Sequence, residues 1–356
     1  MKPPRVYKAP LAERFWPLLF LSGCLLLVVV LSGIFHSQRL DRTLVETLIN
    51  IILVVGLYVF VGNSGVVSFG HIGFTVIGAY ATAWQTVQPF IKGTSMPGLP
   101  DFLLKTTLPV WPAAIISGLL AALVALVVGI AMMRMSGIAA SIGTFAFLMI
   151  INSTYNNWDR VTAGTGSLIG IPAYVNKWVA LIWTLVVLAM AYFYQISRHG
   201  LTLQASREDE AAATAAGIDV FRQRLFAYTL SAFILGIGGV LYAHFLGSLF
   251  VDFFYLGMTF TTLAMLVVGG MNSLTGAVTG AFVLSSIVAL LRQLEKGVTL
   301  GGLTVAFPSG VQEIGLSLVM LIVLIYLRQG LTANKEISWP FSKPHLRKSP
   351  MPPGRE

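Results

Sequence analysis

About ten apolar runs, each roughly 17 to 25 residues long, follow one another along this chain with scarcely a charge inside them; a helix of that length crosses about 30 Å of hydrocarbon. They begin near Phe15, Leu44, Val66, Pro109, Ile138, Trp178, Leu225, Leu256, Thr275 and Val311. In lipid every backbone polar group must be satisfied internally, and for runs of this kind that means helices. Hydrophobic residues make up 56% of the 356 and charged residues 10%, with a mean hydropathy of +0.81, too apolar for a soluble surface. The expected fold is an all-α, polytopic membrane bundle of about ten transmembrane helices. Residues 1–14 form a cytoplasmic N-terminal segment, 15–328 the membrane body and 329–356 a disordered basic tail. Cys24 is the single cysteine, which excludes an internal disulfide and a cysteine metal cluster.

Alternate loops fall on opposite sides, and an even span count groups the basic residues. Lys2, Arg5, Lys8 and Arg14, the turn at Arg134, the loop from Arg198 to Arg224, and Lys335, Lys343, Arg347, Lys348 and Arg355 share one side. By the positive-inside rule that side is cytoplasmic, as are both termini. The net charge of +9 then calls for no nucleic-acid partner, since orientation and anionic membrane lipid account for it. The first run follows basic residues as a signal peptide's would, yet it is long and ends in no A-x-A pattern, so it is read as a retained helix.

Glycine is clustered. Gly62, Gly65, Gly70, Gly73 and Gly78 crowd the third run, and Gly269, Gly270, Gly276 and Gly280 the junction of the eighth and ninth. The segments FVGNSGVVSFGHIGF and LVVGGMNSLTGAVTGAF align weakly, as paired helix breaks do in transporters built from repeats. Close helix crossings of the small-xxx-small kind explain the same glycines equally well. If the helices are broken, Asn63, Ser64, Ser68, His71, Gly269 and Gly270 are the candidate translocation-path residues, since broken backbone at membrane depth needs polar partners. For His71 a hydrogen bond between helices is the competing role.

What the runs lack excludes whole classes. Apart from His71 the ionisable groups fall near span ends, with Glu46, His244, Asp252, Glu295 and Glu313 expected at outer ends in contact with water. Coupling to an ion gradient usually requires such groups within the bilayer. The sequence has no GK dipeptide for a P-loop, no HExxH and no GxSxG, so neither ATP hydrolysis nor a recognisable enzyme chemistry belongs to this chain. No cofactor is expected on it.

One interior loop is hydrophilic: residues 197–224 read SRHGLTLQASREDEAAATAAGIDVFRQR. Arg207 to Gly217 is a run of helix formers with Glu208, Asp209 and Glu210 at the favourable end of the dipole and a glycine suited to the C-cap. A short helix is expected there. Its alanine face, including Ala211 and Ala212, lacks the bulk of a membrane-lying helix and suits a groove on another protein.

This loop, with GNSGVVSFGHIGFTVIGAYATA, WDRVTAGTGSLIGIP and LAMLVVGGMNSLTGAVTGAF, resembles the M-type permease subunits of branched-chain amino acid ABC importers, in family order from about Asn50 to Leu290. The resemblance implies three kinds of partner: a second related permease, two ABC ATPase subunits that use ATP and Mg, and an extracytoplasmic solute-binding protein. It implies that Arg207, Glu208, Asp209, Glu210, Ala211, Ala212 and Gly217 couple to an ATPase. The outer segment with Thr162, Gly164, Gly166 and Gly170 is a candidate contact for the binding protein, or a plain connector. Two departures stand out: the loop glycine lies one residue later than in the general importer signature, and Val66 replaces a polar side chain of the family. The solute stays open among branched-chain amino acids, urea or short amides, and aromatic acids. A stand-alone facilitator for a small neutral solute is the alternative reading.

Overall fold

The computed structural model describes residues 11–337 except 36, 136, 296–297, 301–302, 306–307, 309, 328 and 334. The N-terminal residues 1–10 and the tail from 338 on, to which a cytoplasmic segment and disorder were assigned, lie outside the described residues. The chain runs α1 (Leu11–Phe35), α2 (Gln38–Ser64), α3 (His71–Thr86), α4 (Pro89–Ser95), α5 (Asp101–Lys105), α6 (Val110–Met132), α7 (Gly137–Asn156) and α8 (Asp159–Thr162). After strand β1 (Leu168–Ile169) come α9 (Lys177–Ile196), α10 (Arg198–Glu208), α11 (Glu210–Ala215) and α12 (Val220–Leu246). Strand β2 (Ser248–Leu249) and a 3-10 turn (Val251–Phe254) lead to α13 (Leu256–Gly269) and α14 (Leu274–Glu295). A hairpin of β3 (Val298–Leu300) and β4 (Leu303–Val305) precedes α15 (Val311–Tyr326). Both sheets are two-stranded antiparallel ribbons, so the described fold is all-α in substance.

Eight helices among the described residues are long and apolar enough to cross a membrane. The protein is a multi-pass membrane protein. The remaining two of the ten expected spans are α3 and α15, each 16 residues. At 1.5 Å per residue such helices reach only about 24 Å. For α3 the reason is local: residues 65–70, expected to open the span, are not helical, and the helix begins at His71.

On α6 the packing is inverted relative to a soluble helix. In α6 the buried positions are small, with Ala114, Ser117, Gly118, Ala121, Ala125 and Gly129 turned inward, while Leu119, Leu123 and Val127 are exposed. Lipid rewards no burial of leucine, so helices associate where small residues let backbones touch. The same device joins α3 to α12, where a Cβ on Gly78 would strike the Gly236 carbonyl and one on Gly239 the Thr75 carbonyl. At the centre stands α2, buried almost without interruption from Val45 to Ser64.

The two ends of the bundle are distinct. One carries α10 and α11; the other carries α4, α5, α8 and the β1–β2 ribbon. At the ribbon end Lys177 pairs with Asp41 at 2.8 Å and Arg292 with Glu46 at 3.0 Å. His244, expected in water at this end, is instead fully buried. Its Nδ1 donates to the Pro172 carbonyl at 2.8 Å, which fixes the neutral tautomer and leaves Nε2 to accept from Thr82 Oγ1 at 3.0 Å. It ties α12 to α3 and to the chain ahead of α9.

Candidate functional site

Two helix breaks and one helical hairpin meet at the α10–α11 end. In the first break, α2 stops at Gly65 (φ +72°) and the chain stays non-helical to Gly70. Its polar backbone is satisfied by α7: Ser141 Oγ donates to the Val67 carbonyl at 2.6 Å, and Thr144 Oγ1 accepts from the Phe69 N–H at 3.2 Å. Ser64 Oγ accepts from the Val66 N–H at 3.2 Å. This is how irregular backbone survives at membrane depth. Gly70 must lack a side chain, because a Cβ would strike the Thr144 carbonyl. Neither Ser141 nor Thr144 stands out in sequence, since hydroxyls are common in spans and their partners lie over 70 residues away.

The candidate path residues of this break are not solvent-lining. Asn63, Ser64, Ser68 and His71 are all buried. Asn63 Nδ2 donates to the Val59 carbonyl at 3.0 Å, and its Oδ1 accepts from Gln204 of α10 at 2.7 Å. His71 Nδ1 lies 2.6 Å from Ser68 Oγ, and the ring is boxed by Phe60, Phe74 and Tyr228. The bond is made within the break rather than between helices. Nε2 has no partner among the described residues, and His71 borders a narrow crevice shared with Thr259 and Thr262.

The second break joins α13 to α14 through Gly270 (φ +119°), Met271, Asn272 and Ser273. Gly269, expected to line the path, is a crossing point instead: a Cβ there would strike the Gly276 carbonyl and lie 2.9 Å from Gly280 Cα. Gly270 is equally enclosed, with Gly330 packed on its backbone. The sequence just before residue 338 also departs from expectation. Rather than trailing as a tail, residues 329–333 and 335–337 fold back: the Leu331 and Thr332 N–H groups bond the Val268 and Gly269 carbonyls at 2.8 and 3.2 Å. Glu336 then caps α14, accepting from the Leu274 N–H at 2.6 Å, Thr275 N–H at 3.1 Å and Thr275 Oγ1 at 2.6 Å. A carboxylate at a helix N-terminus is favoured by the dipole and the unpaired N–H groups.

The hydrophilic loop forms two helices where one was expected from Arg207 to Gly217. Asp209 takes an extended conformation (φ −152°) and caps α11, its side chain accepting from the Ala212 N–H at 2.9 Å. An aspartate competes with the helix for its own backbone, and that wins over the propensity of its neighbours. Arg207 and Glu208 therefore end α10, and only Glu210, Ala211 and Ala212 belong to α11. At the far end Gly217 (φ +83°) and Ile218 bond the Thr214 and Ala213 carbonyls at 2.9 and 3.1 Å, a Schellman cap. Glu210 pairs with Arg224 of α12 at 2.8 Å, which fixes the angle of α11. Glu210, Ala211, Ala212, Thr214 and Ala215 are exposed and only Ala213 is buried. The helix stands clear of the bundle.

At the ribbon end, Thr162 is fully buried and bonds the Tyr155 and Trp158 carbonyls at 2.6 and 2.9 Å. Gly164 is buried beside it at φ +55°. These two brace the loop and offer no surface to a partner, whereas Gly166 and Gly170 are exposed. Nearby Lys92 Nζ donates to the Leu103 and Thr106 carbonyls at 2.8 Å each, and burial lowers its pKa. The loop from α3 to α6 is thus a folded knot.

The sequence profile of the family described as branched-chain amino acid transport system / permease component matches residues 39–327, which takes in both breaks and the hairpin. The chain belongs to this family. Over 325 residues the permease is 28% identical to the high-affinity branched-chain amino acid transport system permease protein LivM of Escherichia coli, covering 81% of this chain and 72% of that one. The LivM of Salmonella typhimurium is 27% identical over the same shares. LivH of Salmonella typhimurium is 32% identical over 130 residues, 35% of this chain and 41% of that one. The wider match to LivM agrees with the M-type resemblance. No solved structure matches the chain.

Proposed function

We propose that this permease is the non-catalytic membrane subunit of an ATP-driven importer that carries branched-chain or related small amino acids across the bacterial inner membrane. The observation that carries the reading is α11. It is capped at both ends, braced by the Glu210–Arg224 pair, and turns an almost wholly exposed alanine-rich surface outward. A helix so built is a rigid knob for a groove on an ATPase. The basic residues Arg198, Arg207, Arg222 and Arg224 at this end support a cytoplasmic orientation, with both termini on that side.

The partners follow from what the chain lacks. Work must come from two ABC ATPase subunits, which bind ATP and Mg; solute binding energy resides in an extracytoplasmic binding protein. That both LivM and LivH are named as permeases of such systems supports a second, related permease beside this one. A zwitterion with an apolar side chain crosses between spans whose described charged groups lie near their ends, as the Arg292–Glu46 and Glu210–Arg224 pairs do. Tagged protein solubilised from its native membrane is expected to bring down an ATPase and a second permease. Recovery of the chain alone, under conditions that preserve membrane complexes, contradicts the proposal.

A further inference from the structure

One side chain touches both breaks. Arg207 Nη1 donates to the Gly62 carbonyl at 2.6 Å and to Asn272 Oδ1 at 3.2 Å. Gly62 lies in the last turn of α2, where a carbonyl has no intrahelical donor: the N–H it would receive, on Val66, is turned to Ser64. Asn272 lies in the break between α13 and α14. The stem of Arg207 lies against Gly65, where a Cβ would come within 2.6 Å of Arg207 Cγ. The other edge of the guanidinium faces the opposite way, with Nε and Nη2 bonded to Glu208 Oε1 at 3.1 and 2.8 Å. The next residue, Asp209, is the cap on which α11 turns. One helical turn back on α10, Gln204 grips Asn63 on the same side.

We propose that Arg207 is the positioning residue through which a displacement of α11 reaches the two helix breaks, which it holds together at the α10–α11 end. This rests on the importer reading above. A planar, always charged fork with five donors can serve Glu208 on one edge and two separate breaks on another, which a point charge on a flexible stem does less well. The α10–α11 kink leaves the chain from Arg207 to Asp209 as the short link between them. Closure of an ATPase dimer that shifts α11 therefore draws on Glu208 and Arg207, and the breaks separate when Nη1 leaves Gly62 and Asn272. In the sequence Arg207 reads as a contact for the ATPase; the structure turns it toward the bundle, with its side chain only 22% exposed.

The test compares R207A, R207K, N272A and R207A/N272A in the complete complex. R207A is expected to retain its ATPase and its basal hydrolysis while uptake per ATP falls by about tenfold or more, within the usual span of a coupling free energy. R207K recovers part of the loss, and N272A lowers coupling less and adds little to R207A, because the Arg207–Asn272 bond is already lost in R207A. Normal coupling in R207A, loss of the ATPase alone from the complex, or strictly additive effects would overturn the proposal. Hydrogen exchange on the solubilised chain gives a readout that needs no ATPase. R207A is expected to speed exchange at residues 65–70 and at 270–273 together; a change at one break only, or at neither, counts against it. A wild-type chain that brings down no ATPase sinks the importer reading and leaves this exchange result standing.

Discussion

At Gly269 one added carbon separates two roles. The atoms a Cβ would meet are backbone, the Gly276 carbonyl and Gly280 Cα, so no side chain can turn aside and the α13–α14 crossing must open. Overpacking of this kind costs about 1–3 kcal/mol. G269A is expected to lower the melting midpoint of the purified permease; unchanged melting with altered solute uptake would return Gly269 to the path. A glycine at a crossing and a glycine at a break look identical in sequence, because each is chosen for the missing Cβ. Gly65 shows the other case, where φ +72° and the stem of Arg207 both require it. Ser68 is a second residue with one clear duty. S68A leaves His71 Nδ1 buried without its partner, at a cost of about 1–3 kcal/mol, and a variant as stable as wild type would show that the ring finds another donor or acceptor.

At the scale of elements, most of the spans and a short alanine-rich helix in the hydrophilic loop were legible, since apolar run length and an alanine run with a glycine stop are local signals. The kink at Asp209 was not: Arg207 to Gly217 reads as one helix, and three consecutive acidic residues, Glu208, Asp209 and Glu210, give no local sign of which one leaves the helix to cap it. The partners of Arg207, Gln204 and Glu336 were not legible, because each lies far along the chain and only the assembled bundle brings it near. Two variants follow from the hairpin. D209A removes the cap of α11 and is expected to cost about 1 kcal/mol of that helix, seen as faster amide exchange at residues 212–216 with α12 unchanged. E210K sets a like charge against Arg224, whose side chain is 8% exposed, and is expected to abolish retention of the ATPase; the exchange E210K/R224E restores it. Full retention by E210K alone would remove α11 as the coupling helix.

For the molecule as a whole, large aliphatic side chains of the central α2 fill the interior, glycines let α3 and α12 touch, and the described ion pairs lie towards the two ends. The strap of residues 329–333 and 335–337 joins the α10–α11 end to α14 through Glu336, so E336A is expected to lower stability by about 1 kcal/mol, the ordinary worth of a helix cap, and to quicken exchange at 274–277. In the proposed function, work reaches the permease from partner subunits through α11, the sequence itself holding no GK dipeptide for a P-loop. Uptake of labelled leucine into proteoliposomes puts that claim to the test most directly. The account predicts accumulation only when the permease is reconstituted with its ATPases, second permease and binding protein, with ATP on the α11 side; accumulation or facilitated entry by the permease alone would contradict it.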